Sequence, residues 1–318
     1  TWLMVSALTL LLACGAQAQS YPAKPVKIVV PSAPGGGTDI IARLLAKAFT
    51  SAFGQSFFVE NKPGAGNLIG IEAVAHAPAD GYTLLFSSSS GTVNAAAHNN
   101  ASTQAYKSLA PIALVASIPN ILVVHPNLGV KSVQGLVALA KSKQGEISYA
   151  SSGAGSSPHM SAELFEARTG IQMQHVPYKG SGPAMTDLVA GQVNMMVETV
   201  PAALPFITAG QLRPLAVTTA KRISMLPDVP TTAESGMPAL EVSSTFGVLA
   251  PVGTPVAIID QLNSAIAKLL VNPEVKEAFL KQGVYAATPT KPKQSAELLA
   301  AEVKRWEKVI KEADIKAE

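Results

Sequence analysis

Short apolar runs alternate with longer segments of helical periodicity along most of the chain. Residues 38–53, for example, place Ile41, Leu45 and Phe49 on one helical face directly after an apolar run. The pattern predicts strands at 27–30, 57–59, 82–86, 112–115, 121–124, 147–150, 174–176, 193–197, 214–218 and 246–250. It predicts helices at 38–53, 68–76, 134–141, from about 158, from 183 to 191, and at 255–270, 273–282 and 294–312. Alternating strands and helices are typical of an α/β fold with parallel sheets.

Composition narrows the possible functions. The 318 residues are 48% hydrophobic and 14% charged, and this length indicates two domains or one large one. The net charge of +3 is small and dispersed, so we expect no nucleic-acid partner. Five scattered histidines and a single cysteine favour neither a metal site nor a disulfide framework. We therefore expect no metal and no cofactor.

The first eighteen residues have the pattern of a secretory signal. An apolar run at 2–13 precedes Ala16-Gln17-Ala18, a small-x-small cleavage pattern. We predict a signal peptide at 1–18, with its basic n-region upstream of Thr1. Two alternatives stay open, namely a buried first helix and a lipoprotein signal in which Cys14 is acylated. Cleavage after the small-x-small pattern leaves no cysteine in the mature chain, which suits an oxidising compartment.

The loop after the first predicted strand is rich in glycine. It reads Pro31-Ser32-Ala33-Pro34-Gly35-Gly36-Gly37-Thr38-Asp39 and leads into the helix at 38–53. Consecutive glycines let the backbone come close to a ligand, and the N–H groups at a helix start favour an anion. A flexible turn is the alternative. Either Thr38 or Asp39 is expected to cap the helix, and we expect Asp39 to be structural rather than catalytic.

Three further loops also lie between a predicted strand and the next predicted helix. They span 63–70, 87–92 and 151–157 and are rich in glycine or serine. In open α/β sheets, ligands bind beyond the carboxyl ends of the strands. These loops offer backbone amides and hydroxyls instead of lysine or arginine, and such donors suit a carboxylate in a partly desolvated cleft. Each loop taken alone could equally be a plain turn.

Enzyme motifs are missing from the sequence. It contains neither the nucleophile elbow G-x-S-x-G nor the phosphate loop G-x-x-x-x-G-K-[ST], and Pro158 replaces the third glycine of a dinucleotide fingerprint that starts at Gly153. The histidines lack metal-ligand spacing. His159 lies beside one of the glycine-rich loops and is either structural or a ligand contact. Glu198 follows a predicted strand and either accepts a hydrogen bond from a ligand or is a solvated loop carboxylate.

Several longer motifs resemble a known family. They are Val29-Val30-Pro31 with Pro34-Gly35-Gly36-Gly37-Thr38-Asp39, Asn61-Lys62-Pro63-Gly64-Ala65-Gly66, Asp80-Gly81-Tyr82-Thr83-Leu84, Val176-Pro177-Tyr178-Lys179-Gly180-Ser181-Gly182-Pro183 and Leu226-Pro227-Asp228-Val229-Pro230-Thr231. From residue 21 to the C-terminal helix the chain resembles the Bug/TctC family, the extracytoplasmic solute receptors of tripartite tricarboxylate transporters.

The resemblance implies a periplasmic-binding-protein fold, an α/β fold with two lobes joined by crossing hinge strands and a ligand cleft between them. The implied division is 19–118 with 249–318 as lobe 1 and 119–248 as lobe 2. The family binds small carboxylates, including di- and tricarboxylates, acidic amino acids and aromatic acids. In it, the loops matching 34–39 and 152–157 approach the ligand carboxylate from opposite lobes. The family commonly has Asp and then Asn where this chain has Glu198 and Thr199, so the distal ligand contacts stay open.

We therefore predict a periplasmic receptor, likewise implied by the resemblance, that closes around a small carboxylate and delivers it to membrane permease subunits. We expect a monomer and no enzymatic activity. Two alternatives are a secreted enzyme acting on a small organic acid and a carboxylate sensor that signals to a membrane kinase. The candidate ligand-binding residues are Gly35, Gly36, Gly37, Thr38, Asp39, Asn67, Ser88, Ser89, Ser152, Gly153, Ala154, Gly155, Ser156, His159, Tyr178 and Glu198.

Overall fold

A computed structural model describes residues 21–97, 101–237 and 240–315. The predicted signal peptide at 1–18, with Cys14, lies outside the described residues. The strands of the described part are β1 (Val26–Val30), β2 (Phe57–Asn61), β3 (Thr83–Ser88), β4 (Leu109–Val124), β5 (Ser148–Ser151), β6 (Gln174–Pro177), β7 (Met195–Thr199), β8 (Arg213–Val217), β9 (Ser243–Pro251) and β10 (Tyr285–Ala286).

Helices follow most of the strands. They are α1 (Gly37–Phe53), α2 (Leu68–Ala75), α3 (Ser89–Ala97), α4 (Ala101–Lys107), α5 (Val133–Ser142), α6 (Ser157–Thr169), α7 (Ser181–Val189), α8 (Val200–Thr208), α9 (Val256–Val271), α10 (Pro273–Leu280) and α11 (Pro292–Glu312). Local sequence sets several of these boundaries. The Asn272 side chain caps the start of α10, and Gly54 ends α1 in the left-handed conformation. Within the described residues, no helix is both long and apolar enough to cross a membrane.

The strands form one continuous sheet with two parallel halves. Its order is β2-β1-β3-β9-β4-β7-β5-β6, with β8 and β10 also paired to β4. The β1–β2 and β1–β3 pairs are parallel, as are β5–β6 and β5–β7, and the pairs made by β4 and β9 are antiparallel. Strand β4 changes partner between Pro119, which lies opposite β9, and Asn120, which lies opposite β7. Two α/β lobes are therefore joined by crossing strands.

Strand β4 differs from its predicted form. The sequence pattern predicts two strands at 112–115 and 121–124, whereas the structure has one strand across both. Pro119 lies between the two predicted strands, and proline lacks the N–H that a central strand uses. Pro119 lies where β4 passes from one half of the sheet to the other, and there the strand tolerates a missing donor.

Each lobe has its own apolar core. One core packs Val26, Ile28 and Phe49 with the neighbouring helix α9, and another packs Leu122 and Tyr149 with α5 and α6. The C-terminal helix α11 contributes to both lobes, because its Leu299 packs beside β3 and its Trp306 packs in the core of Leu122 and Tyr149. This helix therefore packs against both lobes.

Candidate ligand-binding cleft

The connections from strands to helices meet between the two lobes. Backbone N–H of Ala33, after β1, donates to the carbonyl of Lys179, before α7, at 3.2 Å. The N–H of Ser157, at the start of α6, donates to Ser90 Oγ in α3 at 3.2 Å. Hydrogen bonds across the cleft show that the lobes are closed. This is the edge at which ligands bind in open α/β sheets.

A narrow cavity lies between these connections. Polar side chains line it from both lobes, together with Pro31, Pro158 and Phe246. The described lining residues are Pro31, Ser32, Gly37, Thr38, Asn67, Ser88, Ser90, Ser152, Ser157, Pro158, Ser181, Glu198, Thr199, Ser244 and Phe246. Among them there is no lysine, arginine or histidine, so any anion held here is held by hydroxyls, amides and backbone N–H groups.

The loop before α1 brings part of its glycine run to the cavity. Gly37 and Thr38 line the cavity, and Gly36 precedes the helix without a capping side chain. Gly35 has φ +87°, a conformation that suits glycine, and its N–H donates to Asp39 Oδ2. The first turn of α1 therefore lies beside the cavity with backbone N–H groups that no side chain caps.

Asp39 has a structural environment. Its carboxylate pairs with Arg43 at 2.9 Å and accepts hydrogen bonds from the Asn61 amide and the Gly35 N–H. Burial raises the pKa of Asp39, but these hydrogen bonds and the Arg43 charge outweigh burial and hold it below its ordinary value. Asp39 thus fixes the glycine loop to β2 from behind and does not line the cavity.

We expect Asp39→Asn to destabilise the lobe of β1 to β3. The amide retains only part of the acceptor capacity, so the free energy of unfolding should fall by about 1–3 kcal/mol at pH 7. Because the folded-state pKa is depressed, the contribution of Asp39 is present above its unfolded pKa and is lost as pH falls through the folded pKa. Urea unfolding at pH 7 and near pH 3 measures this, and an equal loss at both values contradicts it.

The loop after β5 enters the cleft from the other lobe. Ser152 lines the cavity, and Ser156 caps α6 by accepting from the His159 N–H. Gly153 has φ +130°, and a side chain there would lie 3.5 Å from the backbone of Gly66 across the cleft. The predicted candidates Gly153, Ala154, Gly155 and Ser156 form this tight turn next to the lining residues Ser152 and Ser157.

His159 lies behind this turn and does not line the cavity. It is 1% exposed, and its Nδ1 accepts from the Gly155 N–H at 3.0 Å. Its ring stacks on His175 with centroids 4.0 Å apart, and its Nε2 lies 3.6 Å from a Glu163 oxygen. The imidazole therefore fixes the conformation of the loop that carries Ser152 and Gly153.

The serines at the end of β3 and the start of α3 point in different directions. Ser88 and Ser90 line the cavity, whereas Ser89 Oγ points away, donating to Glu302 in α11 and accepting from the Thr245 N–H. The sequence pattern predicts a loop here, but α3 begins directly after β3. Asn67, with φ +81°, precedes α2 and lines the cavity from the same lobe.

Tyr178 and Glu198 complete the predicted set. The Tyr178 hydroxyl donates to Asp187 at 2.7 Å, and Tyr178 does not line the cavity. Glu198 does line it and is 2% exposed. Glu198 Oε1 accepts from the N–H and the hydroxyl of Thr199, at 2.7 and 2.9 Å, while Oε2 has no hydrogen-bond partner. Burial raises its pKa, and contacts from Ser181 and Thr199 lower it only in part.

Unpartnered polar atoms concentrate at this cavity. Ser32 Oγ, Ser157 Oγ and Glu198 Oε2 are buried without a hydrogen-bond partner, and all three residues line it. Buried polar groups are normally hydrogen-bonded, so such a group at a cavity indicates a ligand position. Helices α1, α7 and α8 also begin there without side-chain caps. Within the described chain, no cluster of three or more acidic, histidine or cysteine side chains could hold a metal.

Sequence reasoning overlooked part of this lining. Of the candidate residues, Gly37, Thr38, Asn67, Ser88, Ser152 and Glu198 line the cavity. Ser32, Ser90, Ser157 and Ser181 line it too, and each lies in a strand-to-helix segment that the sequence already indicated. Ser244 and Phe246 belong to β9, and no sequence signal places this antiparallel strand against the cleft.

Two closed α/β lobes around a polar cavity define a solute-binding protein. The family model described as "Tripartite tricarboxylate transporter family receptor" matches residues 41–315. Protein BugT of Bordetella pertussis is 40% identical over 307 residues, which cover 96% of this chain and 94% of BugT. The chain belongs to this receptor family, as the sequence motifs predict, and it is a solute receptor, not an enzyme.

Solved structures agree in fold over nearly the whole chain. R. palustris Rpa4515 with adipate is 38% identical with a TM-score of 0.89, covering 93% of this chain and 99% of that one. The periplasmic binding protein BugD is 33% identical with a TM-score of 0.89, covering 94% and 100%. MatC of Rhodopseudomonas palustris with bound malate is 31% identical with a TM-score of 0.87, covering 91% and 100%. The predicted periplasmic-binding-protein fold is confirmed.

Proposed function

We propose that this receptor captures a small carboxylate, in the first place a dicarboxylate, between its two lobes. One observation carries the proposal: unpartnered serine hydroxyls, Ser32 Oγ and Ser157 Oγ, line the cavity together with uncapped helix starts. Hydrogen bonds to a charged group contribute about 1.5–3 kcal/mol each, so three or four of them supply much of the roughly 8 kcal/mol that micromolar binding represents. Relatives with adipate and malate support the same ligand class.

The proposed contacts come from both lobes. Gly37 and Thr38 at the start of α1 and Ser152 beside α6 hold the carboxylate, while Asn67 and Ser88 form a further wall. The other candidates shape these loops from behind. Gly35, Gly36 and Asp39 do so before α1, and Gly153, Ala154, Gly155, Ser156 and His159 do so before α6; Ser89 and Tyr178 fix neighbouring segments.

We further propose how the protein is placed and used. The chain is exported by a signal peptide at 1–18 and acts in the periplasm as a monomer, with acylation at Cys14 as the lipid-anchored alternative. The closed form is presented to the membrane permease subunits of a tripartite transporter. The lobes are 19–118 with 249–318, and 119–248, with α11 of the first lobe also packing on the second. The change of partner along β4 at Pro119 supports this division.

A panel of carboxylates should stabilise the purified protein. We expect the melting temperature to rise with ligand concentration, corresponding to about 2.7 kcal/mol of added stability at a hundred times Kd. Differential scanning fluorimetry with mono-, di- and tricarboxylates, acidic amino acids and aromatic acids measures it. Sulfate and phosphate serve as anions of a different shape. No rise with any carboxylate contradicts the proposed function.

A further inference from the structure

Glu198 is unusual among the cavity-lining residues. It is the only titratable side chain of the described lining, and it is almost fully buried there. An ionised carboxylate in such a place requires a cation or several donors, since burial strongly disfavours an unpaired charge. The described lining supplies no cationic side chain.

The two oxygens of Glu198 have different surroundings. Oε1 accepts two hydrogen bonds from Thr199, whereas Oε2 has no partner with hydrogen-bond geometry. The Ser181 side chain also lies near this carboxyl group and lowers its pKa in part. A neutral carboxylic acid fits this asymmetry, because the carbonyl-type oxygen accepts and the hydroxyl oxygen donates. Its proton then lies on Oε2, the oxygen without a protein partner.

Charged groups on the surrounding elements are engaged elsewhere. Asp39 on α1 pairs with Arg43, His159 on α6 contacts Gly155 and Glu163, and Asp187 on α7 accepts from Tyr178. Strand β5 carries Tyr149, which bonds to Glu163, and neither β4 nor α8 carries a titratable residue. None of these groups supplies a counter-charge to Glu198.

We propose that Glu198 is a neutral carboxylic acid in the closed receptor and that its Oε2 hydroxyl donates a hydrogen bond to an acceptor oxygen at the distal end of the ligand. This rests on the proposed function, because the helix starts hold the first carboxylate. Glu198 thus selects ligands whose second end is a carboxylate or another acceptor, and it disfavours a methyl or an ammonium group there. Capture of such a ligand takes up one proton from solvent wherever Glu198 is ionised in the open form.

The sign of the pH dependence follows from burial. Closure raises the pKa of Glu198 above that of the open, solvated side chain. Dicarboxylate affinity is then greatest below the open-form pKa and falls as pH rises towards the closed-form pKa. One coupled proton corresponds to a Kd increase of up to about tenfold per pH unit.

The test uses unbranched dicarboxylates of three to seven carbons, with monocarboxylates and ω-amino acids of the same length. Titration calorimetry at pH 7 in buffers of different ionisation enthalpy counts protons. We expect dicarboxylates to bind tightest, with up to one proton taken up per molecule. Glu198→Gln keeps a donor without needing a proton, so it should show no uptake and bind the dicarboxylate about tenfold tighter than the wild type at pH 8.

Two further variants test whether the proton uptake and the affinity depend on Glu198 itself. Glu198→Leu has no donor and should bind the dicarboxylate at least about tenfold more weakly at pH 6. Glu166→Gln is the matched control, because burial raises the pKa of Glu166 to about 7 although this residue does not line the cleft cavity. Its proton uptake should equal that of the wild type.

Several outcomes overturn the inference while leaving a carboxylate receptor intact. They are tightest binding of an ω-amino acid, dicarboxylate binding without proton uptake, weaker binding by Glu198→Gln at pH 8, and proton uptake that disappears in Glu166→Gln. Failure of every carboxylate to bind is a different result, since it overturns the proposed function itself.

Discussion

Gly182→Ala should strongly weaken ligand capture while both lobes remain folded. Gly182 lies in the first turn of α7, and a Cβ atom there would come within 2.1 Å of the Pro34 carbonyl oxygen in the opposite lobe. The obstacle is backbone, so no side-chain rotation relieves it. Because this contact exists only when the lobes are closed, the variant blocks closure and leaves the open form unaffected. We expect Kd to increase at least about 100-fold, or about 2.7 kcal/mol.

Two measurements separate closure from folding. Isothermal titration gives Kd, and small-angle scattering reports whether the protein becomes more compact when the carboxylate is added. The ligand-free melting temperature should stay equal or rise, since alanine is the better helix former.

Gly135→Ala in α5 is the matched control. Its Cβ would lie 3.3 Å from the Ser132 hydroxyl of its own helix start and 3.8 Å from the Val130 Cβ, with no contact across the cleft. This variant should bind and compact as the wild type does. Wild-type affinity in Gly182→Ala would contradict the closed arrangement of α7 against the glycine loop.

The position of Gly182 illustrates what the sequence allowed us to predict. The glycine- and serine-rich loops after β1, β2, β3 and β5 could be placed on one edge, because the carboxyl ends of parallel strands lie together. The residues that contact these loops from across the cleft could not be predicted in this way. Which atoms lie opposite Gly182 or Gly37 depends on the angle between the lobes, and nothing in the local pattern encodes that angle.

The direction in which each serine side chain points could not be predicted from the sequence either. The sequence does not distinguish Ser88, Ser89 and Ser90. Of the three, only Ser89 points away from the cavity, towards Glu302 and Thr245. The difference arises because α3 begins directly after β3, whereas a run of serines is typical of a loop. Helix α8 was missed for a related reason, because Pro201 and Pro205 are typical helix breakers although Pro201 lies in the first turn, where it is tolerated.

For the C-terminal helix, the sequence predicts the helix itself but not the surfaces that it contacts. Its amphipathic pattern predicts a helix over 294–312, and the structure has α11 at Pro292–Glu312. The face it buries is not evident from the pattern, since Leu299 packs on one lobe and Trp306 in the core of the other. The helix therefore packs on both lobes.

Trp306→Ala should cause the largest loss of stability of any change considered. The indole is 2% exposed, and its removal leaves a cavity between α11 and the core around Leu122 and Tyr149. Truncating a buried aromatic residue in this way costs about 3–5 kcal/mol. We expect a lower urea midpoint by circular dichroism, together with loss of the fluorescence change that Trp306 itself reports.

Leu298→Ala provides the comparison on the same helix. This side chain is 44% exposed, so its removal should change the free energy of unfolding by no more than about 0.5 kcal/mol. Trp306→Phe should be milder than Trp306→Ala, because it keeps most of the apolar volume and removes an indole N–H that has no hydrogen-bond partner. Equal effects of Trp306→Ala and Leu298→Ala would show that α11 is not anchored in the second lobe. A large effect confined to Trp306 would instead show that α11 links the two lobes structurally. We expect the relative motion of these lobes to capture the ligand.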